Sequence, residues 1–161
     1  MLAALLISAL GCATRCPCVV PVGVDWRSAA VMAPRARKDA YAVFRGTVIR
    51  ADTTALDTFN LARDPAQSPN LIIQAEEIRY TFAVDRIWKG PRGREVVVMS
   101  YRVNSSCGRD YTLGTTYLVY ANRDREGIAK GQLSTYSCSR VRSGPERDDD
   151  LKVLGPGRAP R

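Results

Sequence analysis

Between Glu76 and Trp88 the chain alternates: Ile78, Tyr80, Phe82 and Val84 fall on one face at a period of two, with Arg79, Thr81 and Asp85 between them or nearby. That period is the pleat of a half-buried β-strand. Upstream, residues 40–50 are rich in β-branched and aromatic side chains and predict a strand, with Gly46 marking a bulge or sharp bend. Residues 95–101 predict the next strand, 117–121 a short and nearly all-apolar buried one, and 131–136 a fifth. The segment 89–93 (Lys-Gly-Pro-Arg-Gly) is a turn. Residues 51–70 are polar, contain Pro65 and Pro69, and read as a long loop of low order. Two helices complete the pattern. Asp25 caps a short one running through Ala33 and interrupted at Pro34. The other covers 145–154, with Asp148–Asp150 as favourable charge near its start and Gly155 as its stop. The predicted fold is all-β with minor α: a five-stranded, OB-like antiparallel barrel with short flanking helices. A β-sandwich is nearly as compatible with the pattern alone.

The apolar run Met1–Gly11 is too short to span a bilayer, which takes about 20 residues, and fits the core of an export signal. Its positively charged start is missing, which leaves room for an initiation site upstream. Ala9-Leu10-Gly11-Cys12 is similar to a bacterial lipobox, in which cleavage ahead of the cysteine accompanies lipidation of Cys12 and anchorage at the membrane. Ordinary cleavage near Ala13 is the rival reading. Residues 12–15 are then a lipidated or short N-terminal extension. Either way four of the five cysteines remain in the body: Cys16, Cys18, Cys107 and Cys138. An even set behind an export signal suits a disulfide framework, whereas zinc usually takes two close pairs and only Cys16-Pro17-Cys18 is close.

The 161 residues suit one domain plus a processed leader, and a hydrophobic content of 45% provides an ordinary core. There are no histidines, which removes the Ser/His/Asp and Cys/His arrangements and His-bearing metal sites. No nucleophile–base motif or cofactor loop stands out, so the chain reads as a non-enzyme without cofactors. The net charge of +8 is interleaved with acids and implies at most a mild affinity for anionic surfaces. Tyr111, Tyr117, Tyr120 and Tyr136 are the residue type on which nucleic-acid bases stack, but in an exported domain they read as core and rim aromatics, and no nucleic-acid partner is expected. Ser105-Ser106 reads as a turn, Trp88 as a core anchor at a strand end. Asp148–Asp150 lacks the alternating ligand pattern of a calcium loop.

One run is more specific: Cys107-Gly-Arg-Asp-Tyr-Thr-Leu-Gly-Thr-Thr-Tyr-Leu-Val-Tyr-Ala121, followed by Cys138. Together with Cys16-Pro17-Cys18, Ala42-Val-Phe-Arg-Gly-Thr-Val48 and Val84-Asp-Arg-Ile-Trp-Lys-Gly-Pro91, it resembles the netrin-like domain, and more narrowly the inhibitory domain of tissue inhibitors of metalloproteinases (TIMPs) and their bacterial relatives. The resemblance covers 16–154, leaving 155–161 as a flexible tail. It implies an OB-like barrel with bridges Cys16–Cys107 and Cys18–Cys138, each worth roughly 4–5 kcal/mol on chain entropy as an upper value. These would staple Cys16, Pro17, Cys18 and Val19 onto the barrel as a partner-binding ridge. In TIMPs the free amine and carbonyl of the first cysteine chelate the zinc of a target protease, and the next residue enters its specificity pocket. By resemblance those roles fall to Cys16, provided it is N-terminal, and to Pro17. The chain departs from the pattern in three places: Arg15 precedes Cys16, Pro17 replaces a small hydroxylated residue, and a third bridge has no counterpart. The expectation is an exported protein-binding domain at the cell envelope or outside the cell, inhibiting a zinc metalloprotease or serving as a lipid-anchored adhesion or assembly module.

Overall fold

A computed structural model describes residues 18, 23, 25, 27–60, 72–103, 108–124 and 130–161, without the side chains of 54–60, 72–75 and 102–103. The elements are α1 (Ala29–Asp39), β1 (Ala42–Asn60), β2 (Ile72–Lys89), β3 (Glu95–Val103), β4 (Thr116–Arg123), β5 (Leu133–Ser134), β6 (Val141–Arg142) and α2 (Gly144–Leu154). The sheet runs β1-β2-β3-β5-β4 and returns from β4 to β1. This ring is the OB-like barrel expected from the pattern. All neighbours are antiparallel except β3 and β5, which meet in parallel at Met99 and Ser134 alone. That single pairing is the narrow seam of the barrel. The short strand β6 adds to β4 through Leu118–Arg142 and Val119–Val141. Among the described residues no helix is long and apolar enough to cross a membrane.

Bulges bend the long strand. The β1–β2 register shifts at Val43/Phe44, Arg45/Gly46, Val48/Arg50 and Thr53/Ala55, and each shift adds coil that lets β1 turn from β4 toward β2 alone. Gly46 is needed where strands approach closely, since a Cβ there would lie 2.9 Å from the Ala83 carbonyl oxygen.

Two cores explain why 117–121 is nearly all apolar. Inside the barrel lie Phe44, Val48, Ile78, Tyr80, Phe82, Val98, Tyr111 and Val119. Their rings meet edge to face, Phe44–Phe82 at 5.5 Å and Phe82–Tyr111 at 5.1 Å between centroids. On the outer face Val43, Trp88, Leu118 and Tyr120 pack with Ala33 and Ala40, and with Ala36, Leu151 and Leu154 of the two helices. Strand β4 is therefore covered on both sides, and alternation disappears from its sequence.

Four expectations need correction. The predicted loop at 51–70 is in part strand, because β1 continues to Asn60 and β2 begins at Ile72, paired with each other as far as Asn60–Ile72. Backbone pairing between the two arms overrides the polar composition. Helix α1 does not stop at Pro34 but carries it within Ala29–Asp39; packing of Ala33 and Ala36 on the outer core offsets the lost backbone bond. Asp25 does not cap that helix. It closes the preceding turn, accepting from the Arg27 N–H on Oδ1 at 3.0 Å and from the Ser28 N–H on its carbonyl at 3.1 Å. The residues 155–161 are not a loose tail. Arg158 exchanges two 2.8 Å backbone bonds with Ile87, and Arg161 N–H donates to the Arg92 carbonyl at 2.8 Å, so the segment occupies the edge of β2 beyond the start of β3. The predicted stop at Gly155 stands, with φ of 75°, and the Trp88 indole N–H donates to its carbonyl at 2.9 Å.

Candidate functional site

Cys18 and Cys138 form a disulfide across 120 positions, with Cα atoms 5.3 Å apart. Both residues are exposed, so the bridge fastens the chain at Cys18 to the rim of the barrel and not into its core.

The rim beneath Cys138 is built tightly. Residues 136–139 form a turn closed in both directions: Ser139 N–H donates to the Tyr136 carbonyl, and Tyr136 N–H to Ser139 Oγ, each at 2.9 Å. The Arg109 guanidinium donates through Nη2 to the carbonyls of Ser137 (3.0 Å) and Ser139 (3.1 Å), spanning the cysteine. Arg109 is itself fixed to β3: the buried Ser100 hydroxyl accepts its backbone N–H and donates to its carbonyl, both at 2.7 Å. Gly108 pairs with Tyr136 in an antiparallel bridge. No other residue fits at 108, because a Cβ would fall 1.3 Å from the Tyr101 carbonyl oxygen. Tyr136 stacks on Tyr101 with centroids 6.2 Å apart and planes 10° from parallel. Its hydroxyl donates to Asp124 at 2.5 Å. Burial, reinforced by that carboxylate, pushes the Tyr136 hydroxyl up to about 12.

A second fixed point lies behind the rim. Arg140 donates to Asp150 through Nε at 2.7 Å and Nη2 at 2.5 Å, while the Tyr120 hydroxyl donates to the same carboxylate at 2.9 Å. Burial and then the Asp150 charge hold the Tyr120 hydroxyl far above its ordinary range. This triad ties α2, β4 and the residues just after Cys138 into one body. Asp150 is therefore a buried partner and not the helix-start charge expected of it. Asp148 and Asp149 go elsewhere, to Arg147 and Lys152, each at 3.0 Å. The three carboxylates share no common centre.

Of the residues marked by sequence, Cys18 and Cys138 are brought together. Cys12, Cys16, Pro17, Val19, Ser105, Ser106 and Cys107 lie outside the described residues, and so does the predicted Cys16–Cys107 bridge. Tyr111 and Tyr120 are buried, Tyr117 meets Tyr111 edge-on at 5.1 Å, and Trp88 anchors the outer core. Arg109, Ser100 and Arg140, which hold the rim, carried no periodic signal. The nearest cue is their closeness in sequence to Cys107 and Cys138.

A hollow of about 880 Å³ is lined by Tyr41, Lys89, Arg123, Asp124 and Lys130. Its chief cations already have work. Lys89 donates to the carbonyls of Arg37 and Lys38 and to that of Ala40, capping the end of α1. Arg123 lies 5.0 Å over the Tyr41 ring and donates to the Gly131 carbonyl at 2.9 Å. Among the described residues no group of three or more Cys, Asp or Glu is placed to hold a metal. No protein-family model matches the sequence, and no curated protein aligns with it.

Proposed function

We propose that this chain is an exported, non-enzymatic binding domain of the netrin/TIMP-like kind that engages another protein through the segment Cys16–Val19. The observation that carries this reading is the Cys18–Cys138 bridge, which pins one residue of that run, Cys18, to the barrel rim. Pairing of Gly108 with Tyr136 adds support, since it brings the neighbour of Cys107 beside the turn that holds Cys138, as two bridges from one Cys-Pro-Cys run require. A short segment fixed at alternate residues presents its backbone pre-ordered, which lowers the entropic cost of docking. In the TIMP manner the target is a zinc metalloprotease, with Cys16 as chelator and Pro17 facing the specificity pocket.

Arg15 ahead of Cys16 favours a second reading. An acylated Cys12 would leave a four-residue extension covering the Cys16 amine. The domain then acts as a membrane-anchored adhesion or assembly module on the same scaffold. Mass analysis of the mature N-terminus separates the two, because Cys16 as first residue favours inhibition and an acylated Cys12 favours the anchored module. A chain trimmed to begin at Cys16 and carrying Pro17→Thr should inhibit at least one enzyme in a broad zinc-endopeptidase panel. Acetylating its amine should abolish the effect. If no enzyme is inhibited at micromolar concentration, the inhibitor reading falls.

A further inference from the structure

Several cations on this surface face a carboxylate: Arg45 with Asp85 at 2.7 Å, Arg142 with Glu146 at 2.9 Å, Arg147 with Asp148 and Lys152 with Asp149 at 3.0 Å. Three neighbouring arginines do not. Arg92, from the β2–β3 turn, and Arg158 and Arg161, from the end segment, line a small hollow of about 140 Å³ with Ile87 and Ala159, and no acidic side chain lines it. All three arginines are exposed, and none makes an ion pair or a side-chain hydrogen bond among the described residues.

Backbone interactions assemble the cluster, not the side chains themselves. Gly155 and Gly157, with φ of 75° and 63°, turn the chain out of α2, and Gly157 lies flat on Trp88, where a Cβ would come within 2.8 Å of the indole. The paired bonds of Arg158 with Ile87, and that of Arg161 with the Arg92 carbonyl, then hold the two arginine-bearing segments side by side. Gathering like charges opposes folding, so the backbone maintains an arrangement that the side chains alone would not choose. Three arginines lining one recess carry forked donors of the kind that match a tetrahedral oxyanion. The hollow is a few times the ~30 Å³ share of a liquid water, room for one such group and little more.

We propose that Arg92, Arg158 and Arg161 form a binding site for a phosphate group, either free or in the headgroup of an anionic phospholipid. This site is independent of the Cys16–Val19 segment and of any protease.

The test uses the oxidised full chain. Inorganic phosphate is titrated at constant ionic strength while the arginine Nε–H signals are followed by NMR. In parallel, the protein is sedimented with vesicles of phosphatidylcholine alone and of phosphatidylcholine with phosphatidylglycerol. Arg92→Gln/Arg158→Gln should weaken binding by about tenfold or more, the scale of losing charge-assisted bonds. Arg35→Gln/Arg37→Gln on α1 removes the same charge and should change binding by less than about twofold. Saturable phosphate binding without vesicle preference assigns the site to free phosphate. Retention on phosphatidylglycerol vesicles that the first double variant loses assigns it to the headgroup. Absence of both, or equal weakening by the two double variants, overturns the proposal. Should Arg92→Gln/Arg158→Gln fail to fold, Arg161→Gln replaces it under the same criteria.

Discussion

Arg140 and Asp150 meet through two charge-assisted bonds of 2.7 and 2.5 Å, with side chains only 8% and 1% exposed. Removing one partner of such a pair leaves an uncompensated buried charge. Asp150→Ala should therefore cost about 3–5 kcal/mol, whereas Arg140→Met/Asp150→Leu, which removes both charges, should cost clearly less. Urea denaturation of the two variants measures the difference. A cost below about 1 kcal/mol for Asp150→Ala would show that the pair does not secure α2.

The Cys18–Cys138 bridge closes a 120-residue loop. Chain entropy sets its contribution at no more than about 5 kcal/mol. Cys138→Ser should lower stability toward that figure while leaving the barrel's far-UV spectrum intact. Non-reducing peptide mapping of the parent chain should recover Cys18 linked to Cys138, and finding both thiols free would refute the bridge.

Two glycines offer a contrast in cause. At Gly108 a methyl would collide with the Tyr101 carbonyl oxygen at 1.3 Å, while at Gly114 nothing lies within 4 Å and only φ of 76° objects. Gly108→Ala should cost more than about 3 kcal/mol, and Gly114→Ala only about 1–2 kcal/mol. Comparable thermal shifts for the two would mean that the approach at 108 relaxes easily.

Three tyrosines make the fold sensitive to base. Burial raises the hydroxyls of Tyr111, Tyr120 and Tyr136, the last to about 12. Each is easier to ionise in the unfolded chain, so their stabilisation is complete below pH 10 and is lost as pH rises through 10 toward 12 and beyond. Tyrosinate absorbance should show these three ionising late, together with loss of structure. Early ionisation of all seven tyrosines in the folded protein would contradict this burial.

Truncation after Gly155 tests the end segment. It removes the Ile87–Arg158 pairing and the glycine lying on Trp88. In a Trp26→Phe background, Trp88 emission should shift to the red and stability should fall by about 1–2 kcal/mol. An unchanged spectrum would restore the view of 155–161 as a loose tail.

The sequence made the barrel legible where one face of a strand is apolar and the other mainly polar, because Ile78, Tyr80, Phe82 and Val84 alternate with Arg79, Thr81 and Asp85 and all four are buried. It also marked Gly46 as a bulge and Gly155 as a helix stop, since both reflect local backbone demands. What it hid depends on distant partners. Residues 51–60 look like loop until β2 pairs with them, Pro34 looks like a helix end until the outer core holds it, and Asp150 looks like surface charge until Arg140 and Tyr120 reach it. The rim shows the same division: spacing exposed the cysteines, but nothing periodic marked Arg109 or Ser100, whose contacts are made across the fold.

The closure of the barrel has a consequence for the order of assembly. Strand β1 needs β4 at Ala42–Ala121 through Thr47–Thr116, and Cys18 needs Cys138. A chain threading out of a ribosome or a translocation pore N-terminus first can form the β1–β2–β3 meander early. Its cysteine pair and the first third of its first strand must then wait for the last third of the polypeptide. Such non-local closure is slow, and during the delay an unpaired strand edge and a reactive thiol are exposed together. Closure of the ring and of the bridge must therefore follow synthesis of residues 116–138.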